Sequence, residues 1–168
     1  MNSEELKNLQ APLKQKYREQ GESAIITLKA QGNIGEGISC KVETGKAFVE
    51  AGLHPATGGN GMLACSGDLL LEALVACAGV TLSAVATAIG IEIKNGIVKA
   101  EGDLDFRGTL GVSKDVPVGF KSIRLNFFID ADVSDEKLAS LSKLTERYCV
   151  VYQTLSKGVQ VNTSFNKK

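Results

Sequence analysis

Between Leu69 and Gly90 the chain reads LLLEALVACAGVTLSAVATAIG, an apolar run interrupted by one charge, Glu72. Such a run is too long for a strand and too apolar for a surface helix, so it must be a helix covered around most of its circumference. Its length and hydropathy would also satisfy a membrane span. The flanks argue otherwise: no cluster of Lys or Arg borders either end, and Asp68 and Glu72 occupy the first turn, where the helix dipole favours acids. The run therefore reads as the central helix of a soluble protein, starting at Gly67 or Asp68 behind an N-cap at Ser66 and stopping at Gly90. Ala73, Ala76, Cys77, Val80, Ala84 and Ala88 recur at spacings of three or four and let another backbone come close. No second helix of this character exists in the chain, so the expectation is a sheet on one side and a second copy on the other, a symmetric homodimer.

At 168 residues, residues 1–168 form one domain, with residues 1–20 as a helical extension interrupted at Pro12. Nineteen Lys plus Arg balance nineteen Asp plus Glu, and aromatics make up 5 % with no Trp. No basic field or stacking surface is available for nucleic acid, and none for an anionic membrane. The N-terminus lacks the apolar core of a secretory signal, which predicts a cytoplasmic protein. The four cysteines, Cys40, Cys65, Cys77 and Cys149, show no paired metal-ligand spacing and the chain has one His, so no metal and no cofactor are expected. In a reducing compartment a disulfide would then be a catalytic or sensing event.

Strands are predicted at Ala24 to Lys29, at Gly37 to Glu43, and in KAFVEA, the last two forming a hairpin around Thr44-Gly45. GLHPATGGNGMLACS is a loop. After the long helix, IEIKNGIVKAEGDLDF reads as a strand or a hairpin around Asn95-Gly96, and RGTLGVSKDVPVG as loop. FKSIRLNFFIDA is a strand with Ile123, Leu125, Phe127 and Ile129 on one face. Ser134 caps a second helix whose inward stripe is Leu138, Leu141, Thr145 and Tyr148 or Cys149. VVYQTLSKG is a further helical turn and VQVNTSF a last strand. The class is α+β.

On spacing alone Cys77 is a small buried hydrophobe of low reactivity. Cys149 lies at a helix end beside Arg147, a setting open either to packing or to a stabilised thiolate. His54 and Arg107 sit in glycine-bearing loops from which a side chain can reach a cleft. Asp68 reads as a first-turn acid, and Cys40 and Cys65 as packing residues.

EALVACAGVTLSAVATAIGI, followed seventy residues later by LTERYCVVYQTL, resembles the OsmC/Ohr family of osmotically inducible and organic hydroperoxide resistance proteins. VPVGFKSIRLNF is similar to the strand between those motifs, and the likeness runs from about Gly32 to Phe165. It implies an intertwined homodimer in which antiparallel sheets wrap long central helices. It also implies roles: Cys77 attacks an organic hydroperoxide, Cys149 resolves the product to an intramolecular disulfide, and an external dithiol restores both. The family's activating Arg on an early loop and Glu ten residues before the reactive cysteine are missing, since GNIGEG holds no Arg and Gly67 stands at the Glu position. His54 and Arg107 are the substitutes to consider, with Asp68 to orient one of them. The missing pair also motivates an alternative, a binding or redox-sensing protein that holds a hydrophobic small molecule without efficient turnover.

Overall fold

The computed structural model describes residues 2–19, 31–34, 39–43 and 48–167. Helix α1, Ser3–Glu19, opens with a reciprocal cap in which the Glu5 N–H donates to Asn2 Oδ1 and the Asn2 N–H to Glu5 Oε2, both at 2.8 Å. It runs on through Pro12, where a break was expected. A proline inside a helix removes one hydrogen bond, and the turns on both sides carry the rest.

Strands β1 (Gln31–Ile34), β2 (Ser39–Glu43), β3 (Phe48–Gly52) and β4 (Ala64–Cys65) form one sheet in that order. β2 and β3 pair antiparallel with Val42 opposite Val49, the expected hairpin. The strand expected at Ala24 to Lys29 lies outside the described residues. In the loop after β3, His54 caps a short turn at Pro55–Thr57, and only glycine fits at position 59, where a Cβ would stand 1.7 Å from the Leu53 carbonyl oxygen.

Helix α2 spans Ser66–Ala88, and its N-cap is Cys65 rather than Ser66. The cause is tertiary: parallel pairing of Cys65 with Gly52 holds it extended at φ −80°, ψ 130°, so the turn into helix falls one residue early. Gly90, at φ +71°, ends the helix as expected. Leu74, Ala78, Leu82, Val85 and Ala86 bury one stripe, while Val80 on another face is 72 % exposed. By length and composition α2 also meets the requirements of a membrane span, at mean hydropathy 2.1.

β5 (Asn95–Asp103) and β6 (Ser122–Asp130) pair antiparallel along their whole length, so Asn95-Gly96 opens a strand and is not a turn. Ile123, Leu125, Phe127 and Ile129 alternate inward on β6 as expected. The predicted loop between these strands contains one helical turn, α3 (Phe106–Thr109), capped by Asp105. α4 (Asp135–Tyr148) is capped by the Ser134 hydroxyl, which accepts from the Lys137 N–H, and α5 (Val150–Lys157) follows after a single residue. Residues 158–167 carry no strand. VQVNTSF has the alternation but pairs with no strand among the described residues, and Val159, Val161 and Phe165 stay exposed.

The core joins Leu82, Val85 and Ala86 of α2 to Ile91 and to Leu141 of α4, with Phe127 and Ile129 of β6 packed against them. The buried α4 stripe is Leu141 and Thr145, completed by Cys149, 1 % exposed; Leu138 and Tyr148, expected on it, are exposed. Leu141→Ala, at a fully buried position, should cost about 2–5 kcal/mol, read as a lower urea midpoint at unchanged slope.

Candidate functional site

Cys149 is both the C-cap of α4 and the N-cap of α5. Its N–H donates to the Thr145 carbonyl at 2.9 Å, its own carbonyl accepts from the Gln153 N–H at 2.9 Å, and its ψ of 107° breaks the helix between those bonds. The break leaves the first N–H groups of α5 without partners inside their own helix. Cys77, midway along α2, fills that place. Its sulfur faces the N–H groups of Val151 and Val150, the Cys149 thiol and the Thr81 hydroxyl. Cys65, Cys77 and Cys149 are free thiols.

The two sulfurs at the joint are electrostatically unequal. Burial pushes the half-buried Cys77 thiol up, but the donors from Val151, Cys149, Val150 and Thr81 outweigh it, and its pKa falls below the ordinary thiol value. Burial raises the Cys149 pKa, and the neighbouring Cys77 sulfur raises it further against the Tyr152 N–H. The first proton lost from the pair therefore comes from Cys77, leaving a thiol on Cys149. Of the two, the accessible sulfur has the stronger nucleophilic character, and the buried thiol beside it is placed to condense with an oxidised partner.

The groups acting on Cys77 include none of the three substitutes considered from sequence. Arg107 is turned to Asp105, its Nε donating to Oδ1 at 2.9 Å, and this contact lowers the Asp105 carboxyl to about 2. His54 stacks on Phe106 with centroids 4.9 Å apart, and its Nδ1 accepts from the Ala56 N–H at 3.0 Å. His54, Asp68 and Cys65 line a separate cavity of about 350 Å³ beside Phe106 and Phe120. Arg124 is held by Asp103 and Glu101, and Arg147 lies over the Tyr148 ring at 5.6 Å. Among the described residues no three His, Cys, Asp or Glu side chains converge as metal ligands.

Thr81 and the amides of Val150 and Val151 are the groups that sequence reasoning missed. Thr81 had a legible signal, lying four residues after Cys77 on one helical face. Its setting is distinctive, because Ser83 and Thr87 on the same helix spend their hydroxyls on the carbonyls of Gly79 and Ser83. Thr81→Val should raise the Cys77 pKa and slow its alkylation by iodoacetamide near neutral pH about two- to tenfold, with the rates converging at high pH.

A second cavity of about 510 Å³ lies between α2, β6 and α5, with Leu74, Phe120, Leu125, Tyr152 and Leu155 among its walls. Lys121, Ser122, Glu146 and Ser156 make its other walls polar; Leu74 is one turn before Cys77 and the Tyr152 N–H faces Cys149, so the apolar side lies toward the thiol pair.

A long apolar helix that delivers one thiol to a second at a helix joint, on an α+β frame, defines a class of dithiol proteins. The family model described as OsmC-like protein matches residues 59–164, and the chain belongs to the OsmC-like family. An OsmC-like protein from Mycoplasma pneumoniae has the same fold, with TM-score 0.66 and 19 % identity over 80 % of this chain and 89 % of that one. An organic hydroperoxide resistance protein from Elizabethkingia anophelis gives 0.63 and 19 % over 80 % and 91 %. The corresponding values for an organic hydroperoxide resistance protein of Bacillus subtilis are 0.54 and 20 % over 80 % and 93 %. A comparison with curated protein sequences found no match.

Proposed function

We propose that the protein is a cysteine-based peroxidase that reduces organic hydroperoxides in oxidative-stress defence. The observation that carries this reading is the contact of the Cys77 and Cys149 thiols at the N-terminus of α5, where the accessible sulfur is the more acidic. The Cys77 thiolate attacks the distal oxygen of the hydroperoxide, the O–O bond breaks, and the alkoxide leaves as alcohol with a proton. Cys77 becomes a sulfenic acid. Cys149 condenses with it to a disulfide and releases water, and a cytoplasmic dithiol restores both thiols by exchange. The cavity near the pair has an apolar wall, formed by Leu74, Phe120, Leu125 and Leu155, that suits the hydrocarbon body of a substrate. The working unit in this reading is a homodimer that covers the exposed apolar face of α2, and sedimentation velocity should give twice the chain mass.

The test is consumption of tert-butyl hydroperoxide by purified protein with a dithiol as reductant. Turnover that needs catalytic amounts of protein supports the reading, and consumption no faster than with the dithiol alone contradicts it. That no cation acts on Cys77 among the described residues favours one rival, an OsmC-like binding or redox-sensing protein for a hydrophobic small molecule. That rival predicts no consumption, and the same affinity for an apolar fluorescent probe in wild type and Cys77→Ser.

A further inference from the structure

Among the described residues, one buried side-chain polar atom has no hydrogen-bond partner, Oγ1 of Thr145. The residue is 1 % exposed. An unpaired buried hydroxyl costs about 1–3 kcal/mol, a cost that valine in the same space would avoid. Helical hydroxyls commonly donate to the carbonyl four residues back, as Ser140 does to Glu136 and Thr154 to Val150, both at 2.9 Å. Thr145 forgoes that bond. It lies four residues before Cys149, whose N–H donates to its carbonyl, so the two side chains are neighbours on one face. Leu141, Thr145 and Cys149 make a fully buried stripe, joined by Leu74, one turn before Cys77. The free hydroxyl therefore stands in dry surroundings one turn from Cys149 on the same face, with no hydrogen bond to its sulfur in the reduced protein.

We propose that the Thr145 hydroxyl is the hydrogen-bond donor to the Cys149 sulfur during disulfide formation. The assignment rests on the peroxidase reading. In that step the Cys149 sulfur attacks the sulfenic sulfur of Cys77, the S–S bond forms, and the S–O bond breaks. The departing hydroxyl takes the Cys149 proton and leaves as water. Charge builds on the Cys149 sulfur before the bond closes, in surroundings where burial opposes it. A hydroxyl with no competing acceptor is free to change rotamer and bring its proton to that sulfur as the charge appears.

The experiment is quench-flow oxidation by tert-butyl hydroperoxide, with sulfenic acid and disulfide read by mass spectrometry in wild type, Thr145→Val and Thr145→Ser. In Thr145→Val the second phase should slow about tenfold and its pH midpoint should rise, while Thr145→Ser should recover most of the rate. Thermal melting of Thr145→Val should match or exceed wild type. Wild-type resolution rate and pH profile in Thr145→Val would overturn the assignment, and so would failure of Thr145→Ser to recover, which marks a packing effect. A wild type with no sulfenic acid phase overturns the peroxidase reading instead. The disulfide is then driven with diamide, whose adduct on Cys77 is also displaced by Cys149, and the same comparison of Val with Ser decides the role of Thr145.

Discussion

Cys77→Ser is expected to lower hydroperoxide turnover by at least about a thousandfold, to the rate of the dithiol alone. The expectation follows from how the site concentrates its donors. The N–H groups of Val150 and Val151 and the hydroxyl of Thr81 all act on one sulfur, and they stabilise a thiolate. A serine hydroxyl at the same place stays protonated and presents no nucleophile to the O–O bond. Because Cys77 is half-buried and contributes little to the core, the variant should keep the wild-type melting temperature. Loss of turnover with loss of folding would leave the site unassigned, so both are measured on one sample. Retained turnover would move the chemistry to another cysteine.

Cys149→Ser should separate the two halves of the reaction. Cys77 still loses its proton readily, since a serine hydroxyl can replace the Cys149 thiol as donor, so the first oxidation proceeds at near the wild-type rate. The sulfenic acid then has no partner. It should accumulate, add dimedone, and with excess hydroperoxide advance to the irreversible sulfinic acid, while turnover with a dithiol falls about tenfold or more. Of the two cysteines outside the joint, Cys40 lies in β2 and Cys65 lines the cavity beside His54 and Asp68. A disulfide forming at wild-type speed in Cys149→Ser would therefore name a different resolving residue.

The parts of this account that depend on local pattern are legible in the chain. The apolar run fixes α2 to within a residue or two, Ser134 caps α4, and the alternation of Ile123 to Ile129 places the inner face of β6. What pattern misses depends on contacts between distant segments. The α2 cap moves to Cys65 because β4 pairs with β3, and Pro12 is tolerated inside α1. VQVNTSF reads as a strand but bonds to none among the described residues. The site follows the same division. Cys77 and Cys149 stand out by their motifs, whereas the groups that act on Cys77 are backbone amides exposed by a one-residue break between α4 and α5. Searching for a cation pointed to His54 and Arg107, yet Arg107 serves Asp105 and His54 packs on Phe106. An amide has no sequence signature, and a helix N-terminus can do the work of an arginine at a thiolate.

The central claim is that Cys77 and Cys149 act as one redox pair, and the most direct measurement is the anaerobic addition of one equivalent of tert-butyl hydroperoxide to the reduced protein. Thiols are then counted, and peptides mapped by mass spectrometry without reduction. The account predicts the loss of two thiols per chain and a peptide pair joined through Cys77 and Cys149. An unchanged thiol count after many equivalents, or a disulfide that omits either residue, would contradict it.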